Sequence, residues 1–199
     1  LLLLRPLRGT AESALLDQAR WLRSHFAGRC WLVVELHHAL DDALWLGTWR
    51  GVLRLKLSEG PASLTRFGPE NSALPGGLTR DMTMAPDGSL WISASSSVWG
   101  GGGLTRYDPA SGTWSHIDGH GGSRIAAQPK PGGGYYIWAF LGGYDGMERW
   151  DSTTQVWTTY TFGEGQPAGL VSLDSVDDLG NVWMTRWIGI EGQQTLDGL

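Results

Sequence analysis

The sequence predicts an all-β fold, a β-propeller fragment of about 3.5 four-stranded blades preceded by a short helix–strand segment. Three observations predict it. A tryptophan returns at a nearly fixed interval, with Trp45, Trp91, Trp138 and Trp183 separated by 46, 47 and 45 residues. That period is too long for a helical-hairpin repeat and right for a propeller blade. Between the tryptophans lie short β-rich runs bounded by Gly, Asp, Asn and Pro, which is the strand-and-hairpin signal. Finally, 30 glycines and 12 tryptophans suit many turns and aromatic packing, and helix-rich chains have little use for so much glycine.

The columns of the repeat define four strands in order. The tryptophan ends an apolar step, as in Ala43–Trp45, Ser89–Trp91, Tyr136–Trp138 and Asn181–Trp183. A glycine then opens a second strand at Gly51, Gly103 and Gly146. After a polar turn (Asp108–Gly112, Asp151–Thr154), a third strand follows over Ser63–Phe67, Thr113–Ile117 and Val156–Tyr160. The fourth alternates apolar and polar residues over Leu78–Met84, Arg124–Ala127 and Leu170–Val176. Tight turns at Pro86–Gly88, Pro131–Gly134 and Asp178–Gly180 return the chain to the next tryptophan. The four repeat tryptophans are expected at equivalent buried positions between blades.

Pro86–Ala94 (PDGSLWISA) followed by Gly103–Pro109 (GLTRYDP) resembles the two-component regulator propeller repeat, D-x-x-G-x-L-W-I-G-T then G-L-x-R-Y-D-P. Leu44–Thr48 matches its core, and Gly169–Leu173 with Asp178–Trp183 matches the fourth-strand portion. The resemblance covers about 43–199. It implies a propeller of the streptogramin-lyase-like superfamily. It also implies the sensor portion of a larger signalling protein, periplasmic or extracellular.

The first forty residues read differently. Thr10 is a suitable N-cap with Glu12 in the first turn, and Leu15, Ala19, Leu22 and Phe26 recur at helical spacing, so a helix is expected over 11–26, with Gly28 as its stop. Arg29–Leu36 then reads as a buried strand. Gln18–His37, ending in Asp41 and Asp42, is similar to a segment of the polymerase-and-histidinol-phosphatase domain of error-prone DNA polymerase III α-subunits, but lacks its histidine clusters. The expected division is therefore 1–42, a helix–strand segment that reads as foreign or a fusion, and 43–199, a partial propeller. In the other reading, Val34–His38 is the inner strand of blade one. The register permits it, since His38 precedes Trp45 by seven residues, as Met84 precedes Trp91. The missing turn glycine at Asp41–Ala43 counts against it.

Bulk properties narrow the function. The net charge is −5 with no basic run, which argues against a phosphate-binding face and hence against a nucleic-acid partner. The single cysteine, Cys30, excludes an internal disulfide and a cysteine metal site. No apolar stretch reaches the length of a membrane span, and no membrane contact is expected. Glu35, His37, His38, Asp41 and Asp42 form the only dense His/carboxylate group, and strand alternation would split it. No metal or cofactor is expected.

Antiparallel strands send alternate loops to two faces. The turns before each tryptophan share one face with the Asp108–Gly112 type of turn. The loops after each tryptophan strand share the other face with the blade-to-blade connections. Loop length varies on that second face, and binding residues concentrate in variable loops of a repeated scaffold. The candidate ligand-binding residues are therefore Trp49, Arg50, Trp99, Tyr144, Asp145, His120, Arg186 and Trp187, with Arg80 and Arg124 beside the connections. Trp49 and Trp187 share a column, four residues past the repeat tryptophan. His120 could act as an acid/base with a carboxylate, and Asp118 is the only acid close to it in sequence. No nucleophile or metalloprotease motif is present. The expected function is non-catalytic binding of a small molecule, a carbohydrate or a protein partner. The alternatives are a streptogramin-lyase-like eliminase, a carbon–oxygen lyase, and a polymerase fragment identified by the N-terminal segment.

Overall fold

The computed structural model describes residues 35–38, 43–96, 102–140, 146–160, 170–177, 180–190 and 193–198. The helix expected over 11–26 and the candidates Trp99, Tyr144 and Asp145 lie outside them. The described chain is a series of antiparallel sheets whose strands pair in sequence order. The first contains β1 (Glu35–His38), β2 (Ala43–Thr48), β3 (Gly51–Lys56) and β4 (Thr65–Phe67), with a 3₁₀ turn at Pro61–Ser63. The second contains β5 (Leu78–Met84), β6 (Leu90–Ser95), β7 (Gly102–Asp108) and β8 (Thr113–Ile117). The third contains β9 (Arg124–Pro129), β10 (Tyr135–Phe140), β11 (Met147–Asp151) and β12 (Val156–Tyr160). The fourth contains β13 (Leu170–Val176), β14 (Val182–Ile190) and β15 (Gln193–Gly198). This is the architecture of successive propeller blades.

The register shows the repeat at the level of single residues. Trp45 pairs with His37, Trp91 with Thr83, Trp138 with Ala126 and Trp183 with Ser175. On the other side Trp45, Trp91 and Trp138 pair with Arg54, Arg106 and Arg149. The first sheet thus takes its inner strand from Glu35–His38, on the N-terminal side of the boundary expected at 42/43. The turns that lead into each tryptophan share one hydrogen-bond pattern. Gly88, Gly133 and Gly180 donate to Ala85, Lys130 and Asp177, whose own N–H groups donate to Ser89, Gly134 and Asn181. Glycine is required there, because φ is 82°, 108° and 82°.

The hairpins that lead into the repeat tryptophans differ in length. Met84 pairs with Leu90 at the end of the second sheet's first hairpin, and Val176 with Val182 in the fourth. The third hairpin carries two further pairs, Gln128 with Tyr136 and Pro129 with Tyr135. It therefore projects beyond its neighbours by two residues per strand.

Strand alternation gives each sheet two apolar faces, so the core consists of seams between sheets. In the first seam, Trp45 lies against Phe67 of its own sheet and Tyr107 and Trp114 of the next, with ring centroids 5.7, 5.0 and 6.2 Å away. In the second seam, Trp91 meets Trp150 at 4.9 Å among Leu104, Ile125 and Ile137. The third seam joins Phe140, Met147 and Trp138 to Val176, Val182 and Met184. The tryptophan column is not uniform. Trp45 and Trp91 are 1% and 0% exposed, Trp138 is half-buried and Trp183 is 48% exposed. The expectation of four equivalent buried tryptophans is corrected at Trp183. Its sheet is the last described, and no further sheet among the described residues covers that side.

Buried polar groups tie the seams together. Asp81 is buried, and its Oδ2 accepts from the N–H of Ile125 on the next sheet at 2.8 Å, while Oδ1 accepts from the N–H of Met82 at 3.0 Å. The hydroxyl of Thr83 accepts from the N–H of Ala127 at 3.2 Å, and that of Ser93 donates to the carbonyl of Gly122. The first two satisfy backbone groups on the open edge of the inner strand β9, and the third a carbonyl on the connection that leads into it.

Candidate functional site

On the loop face, the turn between β2 and β3 displays Trp49, 49% exposed, beside exposed Arg50. This turn is well anchored. Thr48 Oγ1 accepts from the N–H of Arg50 at 3.0 Å and donates to the carbonyl of Gly51 at 2.7 Å. Gly51 donates to the carbonyl of Gly77 on the connection to the second sheet, and the guanidinium of Arg66 donates to the carbonyl of Arg50 at 2.9 Å. Gly51 has φ 110°, and a side chain there would run into the carbonyl of Phe67. The exposed indole is therefore held on a rigid turn, which limits the entropy lost when it contacts a ligand.

Arg186 and Trp187 are placed differently from the sequence expectation. Both lie inside strand β14, where Trp187 pairs with Leu170 and Leu196, and Arg186 with Val171 and Asp197. The apolar, β-rich run Val182–Ile190 extends the strand through the column in which Trp49 occupies a turn. Arg80 sits at the bulge between Thr79 and Asp81 and donates to the hydroxyl of Ser95 at 3.1 Å. Arg124 is exposed at the start of β9.

His120 lies on the connection from β8 to β9. Its acid partner is Glu148 of the third sheet, with Nδ1 to Oε2 at 2.9 Å, and not Asp118. Asp118 instead pairs with His116 at 2.8 Å. The imidazole of His120 stacks on Trp157 at 4.1 Å and an interplanar angle of 5°. Glu148 itself is 7% exposed in the second seam. The pair is separated by 28 residues in sequence, so only the folded blades bring it together.

The opposite, turn face carries a feature outside the candidates that the sequence predicts. The long third hairpin leans on the second sheet and leaves a groove of about 460 Å³, lined by Pro86, Asp87, Arg106, Tyr135, Trp150, Ser152, Gln155 and Gly134. Tyr135 donates from its hydroxyl to Asp87 Oδ2 at 2.9 Å, and Arg106 Nη2 donates to the same oxygen at 3.2 Å. Asp87 Oδ1 accepts from the hydroxyl and N–H of Ser89 at 2.6 and 2.9 Å. Partial burial pushes the Asp87 carboxyl up, but the bonds from Ser89 and Tyr135 and the Arg106 charge outweigh it, so it lies below the ordinary carboxylate value. Burial pushes the Tyr135 phenol up. At the outer end, Lys130 donates to Asp151 Oδ2 at 2.7 Å, holding that carboxyl low and raising the ammonium. The available signal for this groove was the distance from turn glycine to repeat tryptophan: three residues from Gly88 to Trp91 and from Gly180 to Trp183, but five from Gly133 to Trp138.

Among the described residues, no group of three or more His, Cys, Asp or Glu side chains could hold a metal ion. Among them also, no helix is long and apolar enough to cross a membrane.

No protein-family model and no curated protein matches the chain. Solved structures do. The extracellular domain of a hybrid two-component system from B. thetaiotaomicron superposes with a TM-score of 0.57 at 21% identity, over 77% of this chain and 20% of that one. The extracellular domain of a one-component system from the same organism gives 0.52 at 18% identity, over 83% of this chain and 22% of that one. PorZ, a surface component of the type-IX secretion system of Porphyromonas gingivalis, gives 0.55 at 16% identity, over 79% and 24%. At these identities the common property is the propeller fold. The chain spans about a fifth to a quarter of the length of these structures. The polymerase resemblance of residues 10–42 finds no counterpart among these matches.

Proposed function

We propose that the chain is a non-catalytic binding module, the ligand- or partner-contacting part of an extracytoplasmic sensor in a larger signalling protein. The observation that carries this reading is the exposed Trp49 on a turn anchored by four hydrogen bonds. A large rigid aromatic beside Arg50 offers apolar contact with polar edges, which suits a carbohydrate ring or another flat ligand. The extracellular domains of a two-component and a one-component system that share the fold support the signalling context and a periplasmic or extracellular location. The test is titration of candidate oligosaccharides followed by tryptophan fluorescence, with wild type and Trp49→Ala compared. Truncation of a central aromatic anchor should weaken binding by about tenfold or more. Undiminished affinity in Trp49→Ala would overturn the reading.

One observation favours a second reading, an eliminase. The His120–Glu148 pair has the carboxylate–imidazole arrangement of a general base. That reading requires a turnover that His120→Ala abolishes while leaving the fold intact.

A further inference from the structure

We propose that the free face of the first sheet is covered by the chain's own N-terminal segment, laid as an amphipathic helix over residues 11–26 on a surface of leucines. That surface is the side of β2 and β3 that points away from the second sheet. Trp45 and Val52 face the second sheet, so strand alternation turns Leu44, Leu46, Leu53 and Leu55 to the other side. They stand as two cross-strand pairs, Leu44 with Leu55 and Leu46 with Leu53, and Leu57 and Leu64 pack against them. Among the described residues, no other sheet contributes to this cluster. Yet Leu44, Leu46, Leu53 and Leu55 are 1%, 0%, 8% and 4% exposed. An uncovered face of an antiparallel sheet is solvated, so these four side chains have a cover.

The leucine surface differs from the faces that receive a neighbouring blade. In the second and third sheets the residue that meets the preceding indole is aromatic. Tyr107, paired with Leu90, meets Trp45, and Trp150, paired with Ile137, meets Trp91. The same place in the first sheet, opposite Leu44, holds Leu55. With no ring to stack on, this face suits an aliphatic partner that interdigitates with it. Outside the described residues, only 1–34 carries a sustained apolar stripe; the next longest stretch, 161–169, has Phe162 as its one large apolar residue. In a helix over 11–26, Leu15, Ala19, Leu22 and Phe26 form one stripe, and Asp17, Arg20 and Ser24 fall opposite. Such a helix is about 24 Å long and a four-stranded sheet about 14 Å wide, so one pass covers it. Residues 27–34 span up to about 26 Å when extended, enough to bring the chain from either edge of that sheet to β1. The segment is then integral to the first sheet, and this role is independent of the function proposed above.

The experiment places the photocross-linker p-benzoylphenylalanine at Leu64, on the rim of the cluster, in the whole chain, and maps the irradiated product by mass spectrometry. Cross-links into residues 11–26 of the same chain are expected. Leu15→Asp with Leu22→Asp puts two carboxylates on the stripe. It should abolish those cross-links and lower the thermal midpoint by about 8 °C or more. Arg20→Gln with Ser24→Gln, on the opposite side of the helix, should leave the midpoint within about 3 °C. The proposal is overturned if the cross-links join two copies of the chain, if none reaches 11–26, or if the stripe variant melts with the wild type. The cross-link map is read on a chain with an intact stripe, so it decides the matter even where the stripe variant fails to fold.

Discussion

Truncating two tryptophans of the same repeat column tests the seam architecture directly. Trp91 is 0% exposed and Trp183 is 48% exposed, although both stand opposite the inner strand at the same register. A fully buried tryptophan removes about 200 Å² from water, or about 5 kcal/mol at about 25 cal/mol per Å². Measured truncations of this kind cost about 3–5 kcal/mol. Trp91→Ala also removes the ring contact with Trp150 at 4.9 Å and the indole bond to Ser89 Oγ at 3.2 Å. A loss of about 4 kcal/mol is expected. Trp183 keeps about half its surface in water, and its indole bond to Asp177 Oδ2, 3.0 Å, is solvent-exposed. Its truncation should cost no more than about 2 kcal/mol. Urea unfolding followed by far-UV circular dichroism gives both values, provided the slopes agree between variants. If Trp183→Ala costs as much as Trp91→Ala, the seam argument is wrong.

Other predictions concern single groups. Gln155 occupies the left-handed region with φ 58°, at the turn position where Gly112 has φ 70°. Gln155→Gly should therefore raise the thermal midpoint, corresponding to about 1 kcal/mol, and Gly112→Ala should lower it by a similar amount. Asp81→Ala strands the buried N–H of Ile125 and should cost about 2–3 kcal/mol in the same urea assay. Because the folded-state pKa of Asp87 lies below its unfolded value, the stability it contributes is present above about pH 4 and is lost as pH falls through the lower folded value. Asp87→Asn should flatten the acid limb of a midpoint-versus-pH plot below about pH 4. An unchanged acid limb would refute that assignment.

Local features of the blades were legible because each is written within one repeat. The strand over Leu170–Val176 has the bounds that its alternation predicts, and Gly88, Gly133 and Gly180 stand in the tight turns that the sequence predicts. What was not legible depends on distance or on neighbours. The burial of a repeat tryptophan depends on the sheet that follows, so Trp91 and Trp183 look alike in sequence and differ in the fold. The partner of His120 is 28 residues away on another sheet, whereas a search near it finds Asp118. Column equivalence to Trp49 predicts a loop at Arg186 and Trp187, and the longer β14 breaks that equivalence. The two additional pairs of the third hairpin preserve strand alternation, so they left the pattern intact and shifted only the glycine-to-tryptophan distance.

The unequal seams imply a gradient of local opening along the chain. Among the described residues each sheet packs on its sequence neighbours, so stability behaves as a sum of nearest-neighbour couplings. The first coupling contains Trp45, Phe67, Tyr107 and Trp114 in mutual ring contact. The third relies on Trp138 with smaller or more flexible partners, Val176, Val182 and Met184. Amide exchange should therefore be slowest in β2 and β6 and progressively faster toward β14. Sheets coupled in this way open one at a time, those with the weakest seam first.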